Sequence, residues 1–159
     1  MIKTSDWTSL YELKTVDEKI NKLLELGTKA LGQNIGIISR IQNNNYVVKY
    51  AYSTGDPIAP GTTFKLGDTY CSVTMRQKQV VAIPHFSISE FNRHPCYQLF
   101  KLEAYIGTPI MVKDQVYGTL NFSSAAVKTS NFTETEQHLV QVMGLYVGTL
   151  LENKRISAS

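Results

Sequence analysis

Groups with nucleophilic or metal-binding chemistry are few: the cysteines Cys71 and Cys96 and the histidines His85, His94 and His138. Two thiols supply neither a disulfide framework nor a four-thiolate zinc site. The histidines include no pair at i, i+4 on a helix, so no metal site is expected. Cys71 falls early in a predicted helix, where a helix N-terminus lowers a thiol's pKa. The competing reading, a small buried apolar residue, is the commoner fate of a free cysteine, and Cys71 is kept as a wall residue of a pocket. His85 follows a short strand and Pro84, within reach of a pocket mouth. No phosphate-cradling loop, nucleophile elbow or pair of catalytic carboxylates is found, so the chain is read as a non-enzyme with no catalytic residues.

What remains is stacking and hydrogen bonding, concentrated on one predicted hairpin. Alternation places Ile106, Ile110 and Val112 with Val116, Leu120 and Phe122 on one face. The other face carries Tyr105, Gly107 and Pro109 from the first strand, and Tyr117, Thr119, Asn121 and Ser123 from the second. Pairing across the turn sets Tyr105 near Ser123 and Gly107 near Asn121. Rings give stacking area, hydroxyls and an amide give oriented hydrogen bonds, and Gly107 makes room; small-molecule pockets are built from such mixtures. Cover comes from the segments between Leu66 and Leu102, rich in Tyr70, Phe86, Phe91, Tyr97 and Phe100. The predicted ligand-binding set is therefore Tyr70, Cys71, His85, Phe100, Tyr105, Gly107, Thr119, Asn121 and Ser123. The same rings can also plug a pocket, which leaves a ligand-free dimerisation or connector domain as the alternative.

The elements that position these residues follow from pattern. Thr15 and Glu18 have capping-box spacing before Val16, Ile20, Leu23, Leu24 and Leu31, with Gly32 as the stop. A shorter stretch with Trp7, Leu10 and Tyr11 precedes them as a linker or short helix. Ile35, Ile37 and Ile41, then an asparagine turn, then Tyr46, Val48, Tyr50 and Tyr52 read as a hairpin. Residues 53–61 are loop, 63–66 a short strand, and 69–77 a helix capped by Asp68. Val80 to Ile83 is a strand stopped by Pro84, and Phe86 to Leu102 holds one or two helical turns with a break at Pro95. The second hairpin runs from Ala104 to Val112 and from Val116 to Ser123, turning at 113–115. A long helix then spans Glu134 to about Asn153, opened by Thr133 and Glu136. Helix, short antiparallel strands and helix make an α+β fold of five or six strands, the terminal helices covering one face of the sheet.

Several stretches of this chain resemble the GAF domain of bacterial sensor kinases and related signalling proteins. They are Leu66-Gly67-Asp68-Thr69-Tyr70-Cys71, Arg93-His94-Pro95, Glu103 to Ile110, Val116 to Ser123 and Phe132-Thr133-x-x-Glu136. The resemblance covers roughly Val16 to Glu152. It implies a GAF-like antiparallel sheet with a ligand pocket beneath the crossing segments, opposite the terminal helices. It also implies a regulatory sensory module of a two-component or similar signal-transduction protein, relaying through those helices to an output domain such as a kinase or cyclase. The family names no ligand. Cys96-Tyr97 resembles the attachment pair of bilin-binding members, but Cys96 lies closer to the next strand than in that subfamily. Ser123-Ser124 also stands where a chromophore-contacting histidine is usual, so bilin and haem are set aside as cofactors and the ligand stays unknown. The branch that reduces free methionine sulfoxide needs a cysteine layout that Cys71 and Cys96 do not match.

Size and charge set the outer bounds. The 159 residues suit one domain, divided here into 1–15 as linker or short helix, 16–153 as the domain and 154–159 as a connector. A net charge of +3, unclustered, gives no footprint for nucleic acid. The apolar stretch from Leu139 to Leu151 is too short and too interrupted to span a membrane, and with no signal-peptide run the expected location is the cytoplasm. The last helix carries more than one apolar stripe. One holds Leu139, Val142, Met143, Tyr146 and Leu150; another holds Val140, Val147 and Leu151 beside Gly144 and Gly148. One sheet contact uses a single stripe, and the surplus predicts a homodimer through the terminal helices.

Overall fold

Thr15 opens the first long helix as its spacing predicts, its hydroxyl accepting from the Glu18 N–H at 3.1 Å. The helix that follows is α2 (Val16–Leu31), preceded by α1 (Thr4–Glu12) and closed by Gly32 in the left-handed region at φ 64°. At the other end Thr133 and Glu136 cap each other's backbone N–H groups at 2.9 and 3.1 Å. That reciprocal cap starts α5 (Glu134–Ala158), which runs past Asn153, so the segment expected as a connector begins as helix. The computed structural model describes residues 2–158, with side chains described from Ile2 to Arg155.

Between the helices lie two long hairpins, β1 (Ile35–Gln42) with β2 (Asn45–Ser53), and β5 (Ala104–Val112) with β6 (Gln115–Ser124). Each turns through two residues of positive φ, Asn43 and Asn44 in the first, Lys113 and Asp114 in the second. Such mirror-image turns match the right-handed twist of the strands they join. Gln115, expected in the turn, is thus already strand. Two short strands, β3 (Thr63–Lys65) and β4 (Val81–Ile83), complete an antiparallel sheet in the order β3-β2-β1-β6-β5-β4.

Two bulges correct the expected faces. In the β1–β2 ladder Ile38 pairs with Tyr50 but Ser39 with Val48, leaving Lys49 extra. The pleat reverses there, so Tyr46 and Val48 point to one side of the sheet while Tyr50 and Tyr52 pack on the other. In β5–β6 the pairing jumps from Ile110–Gly118 to Met111–Val116, leaving Tyr117 extra. Tyr117 consequently joins the helix-side core instead of the polar face. Val116, expected inside, is exposed.

The crossing segments differ from expectation at their helix starts. Residues 66–68 form a 3₁₀ turn, and α3 (Cys71–Gln77) begins after Tyr70, so Asp68 is not its cap. A second 3₁₀ turn covers Phe86–Ile88, and α4 (Pro95–Phe100) starts at the proline expected to break it. Proline suits that first position because the helix needs no N–H there. His94 caps α4, its Nδ1 accepting from the Cys96 N–H at 3.1 Å.

The sheet separates two cores. Beneath α2 and α5 lie Leu23, Leu24, Ile38, Ile106, Leu120, Phe122, Met143 and Val147, with Leu10 of α1 at the edge. On the opposite side Tyr46, Val48, Tyr70, Cys71, Phe86 and Tyr105 pack beneath the crossing segments. Gly148 lets α5 approach β5 so closely that a Cβ there would strike the Met111 carbonyl oxygen. Gly144 is likewise filled by the Thr108 methyl, so these glycines serve the helix–sheet contact. Both apolar stripes of α5 supply side chains to this core, Val140, Val147 and Leu151 from one and Met143 and Leu150 from the other, while Val142 stays exposed. Among the described residues no helix is long and apolar enough to cross a membrane.

Candidate functional site

Strand pairing alone assembles the floor of a cavity. Ser123 of β6 sits between Ile35 and Tyr105, and Asn121 between Ile37 and Gly107. Residues opposite one another share a face, so Ile35, Ile37, Asn121, Ser123 and Tyr105 line one surface. The bulge in β2 turns Tyr46 and Val48 onto the same side. Thr69, Tyr70, Cys71, Phe100 and Leu102 from the crossing segments, with Ile58 of the loop after β2 and Phe64 of β3, stand over it, leaving about 310 Å³.

At the floor's inner edge three polar groups converge on a thiol. Cys71 Sγ accepts from Thr119 Oγ1 at 3.0 Å, Asn121 Nδ2 at 3.1 Å and Tyr105 Oη at 3.4 Å. With their protons turned to the sulfur, Tyr105 Oη accepts from Thr74 Oγ1 at 2.7 Å and Thr119 Oγ1 accepts from Ser39 Oγ at 2.7 Å. Burial pushes the Cys71 thiol above its ordinary value, against the donors that favour its anion. Burial holds Tyr46 and Tyr105 well above theirs and raises Tyr70 too. The lining therefore carries no charge at neutral pH.

The Asn121 amide is oriented by these bonds, its nitrogen held by Cys71 Sγ and, at 3.5 Å, by Tyr46 Oη. Its carbonyl oxygen then receives no protein donor among the described residues, nor does the Ser123 hydroxyl bond to any of them. Among those residues only Gln33 Oε1 is a sealed polar atom without a partner. Asn121 and Ser123 are themselves 4% and 2% exposed. Their free oxygens escape sealing because they open onto the cavity they line.

The rings above form a braced wall. Tyr70 stacks on Tyr105 with centroids 5.6 Å apart and meets Phe86 edge-on at 4.7 Å. Its hydroxyl donates to the Leu102 carbonyl and accepts from the Leu102 N–H, each at 2.8 Å, pinning α3's start to the segment that leads into β5. Phe64 and Phe100 meet edge to face at 5.2 Å.

Of the nine residues expected at the site, Tyr70, Cys71, Phe100, Tyr105, Asn121 and Ser123 line the cavity. Thr119 is one step behind it, bonded to Cys71 and Ser39. Gly107 makes room for protein instead: a Cβ there would collide with Tyr105 Oη. His85 stands beside the 3₁₀ turn and does not line the cavity. Sequence reasoning missed Ile35, Ile37, Tyr46 and Val48. The signal for the first two was present, since β1 must pair with β6 for a hairpin-built sheet to have one apolar face. Tyr46 and Val48 depended on a bulge. Ile58, Phe64, Thr69 and Leu102 come from loops and short elements with no periodicity to read.

Comparison with known proteins places these observations. A model of the GAF domain family matches residues 15–151. No curated protein sequence matches the chain. Among solved structures, the chain is similar to the GAF domain of an Acinetobacter phosphoenolpyruvate-protein phosphotransferase. The TM-score is 0.78 at 11% identity, over 97% of this chain and 92% of that one. It is also similar to the free methionine-R-sulfoxide reductase of Neisseria meningitidis, solved with its substrate. There the TM-score is 0.74 at 12% identity, covering 96% and 87% of the two chains. A third similar structure is the chromophore-binding domain of a Stigmatella aurantiaca phytochrome. Its TM-score is 0.73 at 13% identity, over 92% of this chain and 57% of that one.

Proposed function

The chain belongs to the GAF domain family, a regulatory and sensory fold of signalling proteins, and on that premise we propose that it binds a small molecule beneath its crossing segments and relays the event through its terminal helices. One observation carries this reading: buried Asn121 and Ser123 keep hydrogen-bonding oxygens that no group among the described residues uses, in a cavity of about 310 Å³. Polar atoms withheld from protein partners are costly unless something else occupies them. The relay is supported by what stands on the reverse of the same strands. Tyr50 of β2 donates to Asp17 Oδ1 of α2 at 2.7 Å, and Lys154 Nζ of α5 bonds both Asp17 and Tyr50, at 2.7 and 3.2 Å. Both terminal helices are thus fastened to a strand whose other end walls the cavity. Beyond α5 an output domain such as a kinase or cyclase would read the shift, and a second copy would pair with the exposed side of that helix.

The same role is regulatory and not catalytic. One similar structure is a methionine sulfoxide reductase, yet both thiols of this chain are buried and burial pushes Cys96 up to about 12. A bilin is likewise disfavoured, since Cys96 does not line the cavity. The competing reading, a connector without a ligand, draws on the inward-turned hydroxyls of Tyr105 and Thr119, which already have protein partners. Thermal shift against metabolites, nucleotides and tetrapyrroles separates the two. A true ligand at 100 times its dissociation constant adds ~2.7 kcal/mol. Asn121→Leu should remove that shift while leaving a cooperative melt, and a variant that binds unchanged would refute the site.

A further inference from the structure

Resting on the sensory reading above, we infer that the cavity selects an uncharged, compact, largely apolar molecule that offers one hydrogen-bond donor to Asn121. No lysine, arginine, histidine, aspartate or glutamate stands among the lining residues. An anion entering would give up its hydration for neutral groups alone, with no cation to meet it. A cation would need open ring faces or a carboxylate. The rings are spent on each other instead, Tyr70 stacked on Tyr105 and Phe64 set edge to face with Phe100.

The polar end is equally defined. Because the Asn121 nitrogen is taken by Cys71 and Tyr46, only its carbonyl oxygen faces the cavity, and that atom accepts. The Ser123 hydroxyl beside it can donate or accept. Isoleucines and a valine on the floor, with Ile58 and Leu102 above, surround the rest. An N–H or O–H on an apolar body meets the Asn121 oxygen, with Ser123 beside it able to share that donor, and leaves no charge unpaired.

A matched set of probes tests this: indole, N-methylindole, indoleacetate and tryptamine, measured by calorimetry near neutral pH on the whole chain. Indole should saturate, N-methylindole should bind about tenfold more weakly for want of its donor, and neither charged analogue should bind. Ile37→Trp, which fills the cavity, should abolish binding. Ser123→Ala, which removes an oxygen that no described residue uses, should weaken binding with an unchanged melt. If indoleacetate or tryptamine binds as well as indole and Ile37→Trp removes that binding, the charge inference falls while the pocket stands. If no probe binds, or binding survives Ile37→Trp, the inference and the pocket reading fall together.

Discussion

Cys71 Sγ gathers hydrogen bonds from three buried side chains, and each donor would lose one of its two partners if the sulfur were removed. Cys71→Ala should therefore cost about 1–3 kcal/mol through stranded donors. Cys71→Ser, which keeps an acceptor in place, should stay within about 1 kcal/mol of the parent; urea denaturation of both variants measures the difference. His94 gives a second test, in pH. Its Nδ1 accepts from the α4 backbone while Nε2 meets Ser72 Oγ at 2.9 Å, an arrangement that requires the neutral ring. Burial first, and Arg76 second, hold its pKa below the ordinary 6.5. The unfolded chain thus takes the proton before the folded one does. Stability from this group is complete above 6.5 and is lost as pH falls through the folded value. His94→Asn caps without titrating, so urea midpoints at about pH 7.5 and about pH 5 should differ less in the variant than in the parent. At this scale the sequence was informative where side-chain direction follows from alternation, as for Tyr105, Asn121 and Ser123. It was silent for His85 and Gly107, whose surroundings depend on loop path and on the rotamer of Tyr105.

The elements were legible wherever local chemistry specifies them. Capping threonines, the double-asparagine turn and the apolar periodicities of α2 and α5 all announce themselves within a few residues. What stayed hidden were the extra residues Lys49 and Tyr117, because a bulge is a property of two paired strands and leaves no mark in either one alone. Each reverses the pleat, which explains why Tyr46 and Tyr50, read as one face, serve opposite cores. The start of α4 at Pro95 was misread for a related reason: a proline ends one helix or begins another according to what precedes it. The helix–sheet contact offers a prediction of its own. At Gly148 an added methyl meets backbone, the Met111 carbonyl, which cannot rotate aside. Gly148→Ala should lift α5 from β5 and cost about 1–3 kcal/mol. Gly67→Ala, where nothing lies within 4 Å, should be nearly neutral in the same thermal melt.

For the whole molecule the two faces of the sheet carry separate cores, and the outer side of α5 covers neither. Val142 and Leu145 are 54% and 66% exposed, and Tyr11 of α1 is 77% exposed. Val142, Tyr146, Trp7 and Tyr11 line one shallow groove between the two helices. Positions 142, 145 and 146 fall on one side of a helix, so this apolar strip spans one turn of α5 and is widened by α1. Both stripes read from the sequence supply side chains to the core, so the exposed strip is Val142 and half-buried Tyr146 from one of them together with Leu145, which belongs to neither. Two copies related by a two-fold axis would bring strip to strip, self-complementary as such symmetry demands. A specific dimer buries about 800 Å² per partner, within reach of two helices side by side. The parent chain should therefore sediment as a dimer at about 100 μM, and Leu145→Glu as a monomer. Because Leu145 is mostly exposed in the single chain, its replacement should move monomer stability by less than about 0.5 kcal/mol. A parent that sediments as a monomer would detach the strip from self-association, while a variant that stays dimeric would move the interface elsewhere. Dimerisation through α5 would also set how the cavity's state leaves the domain, since the helix clamped to β2 by Lys154 is then the one shared between copies.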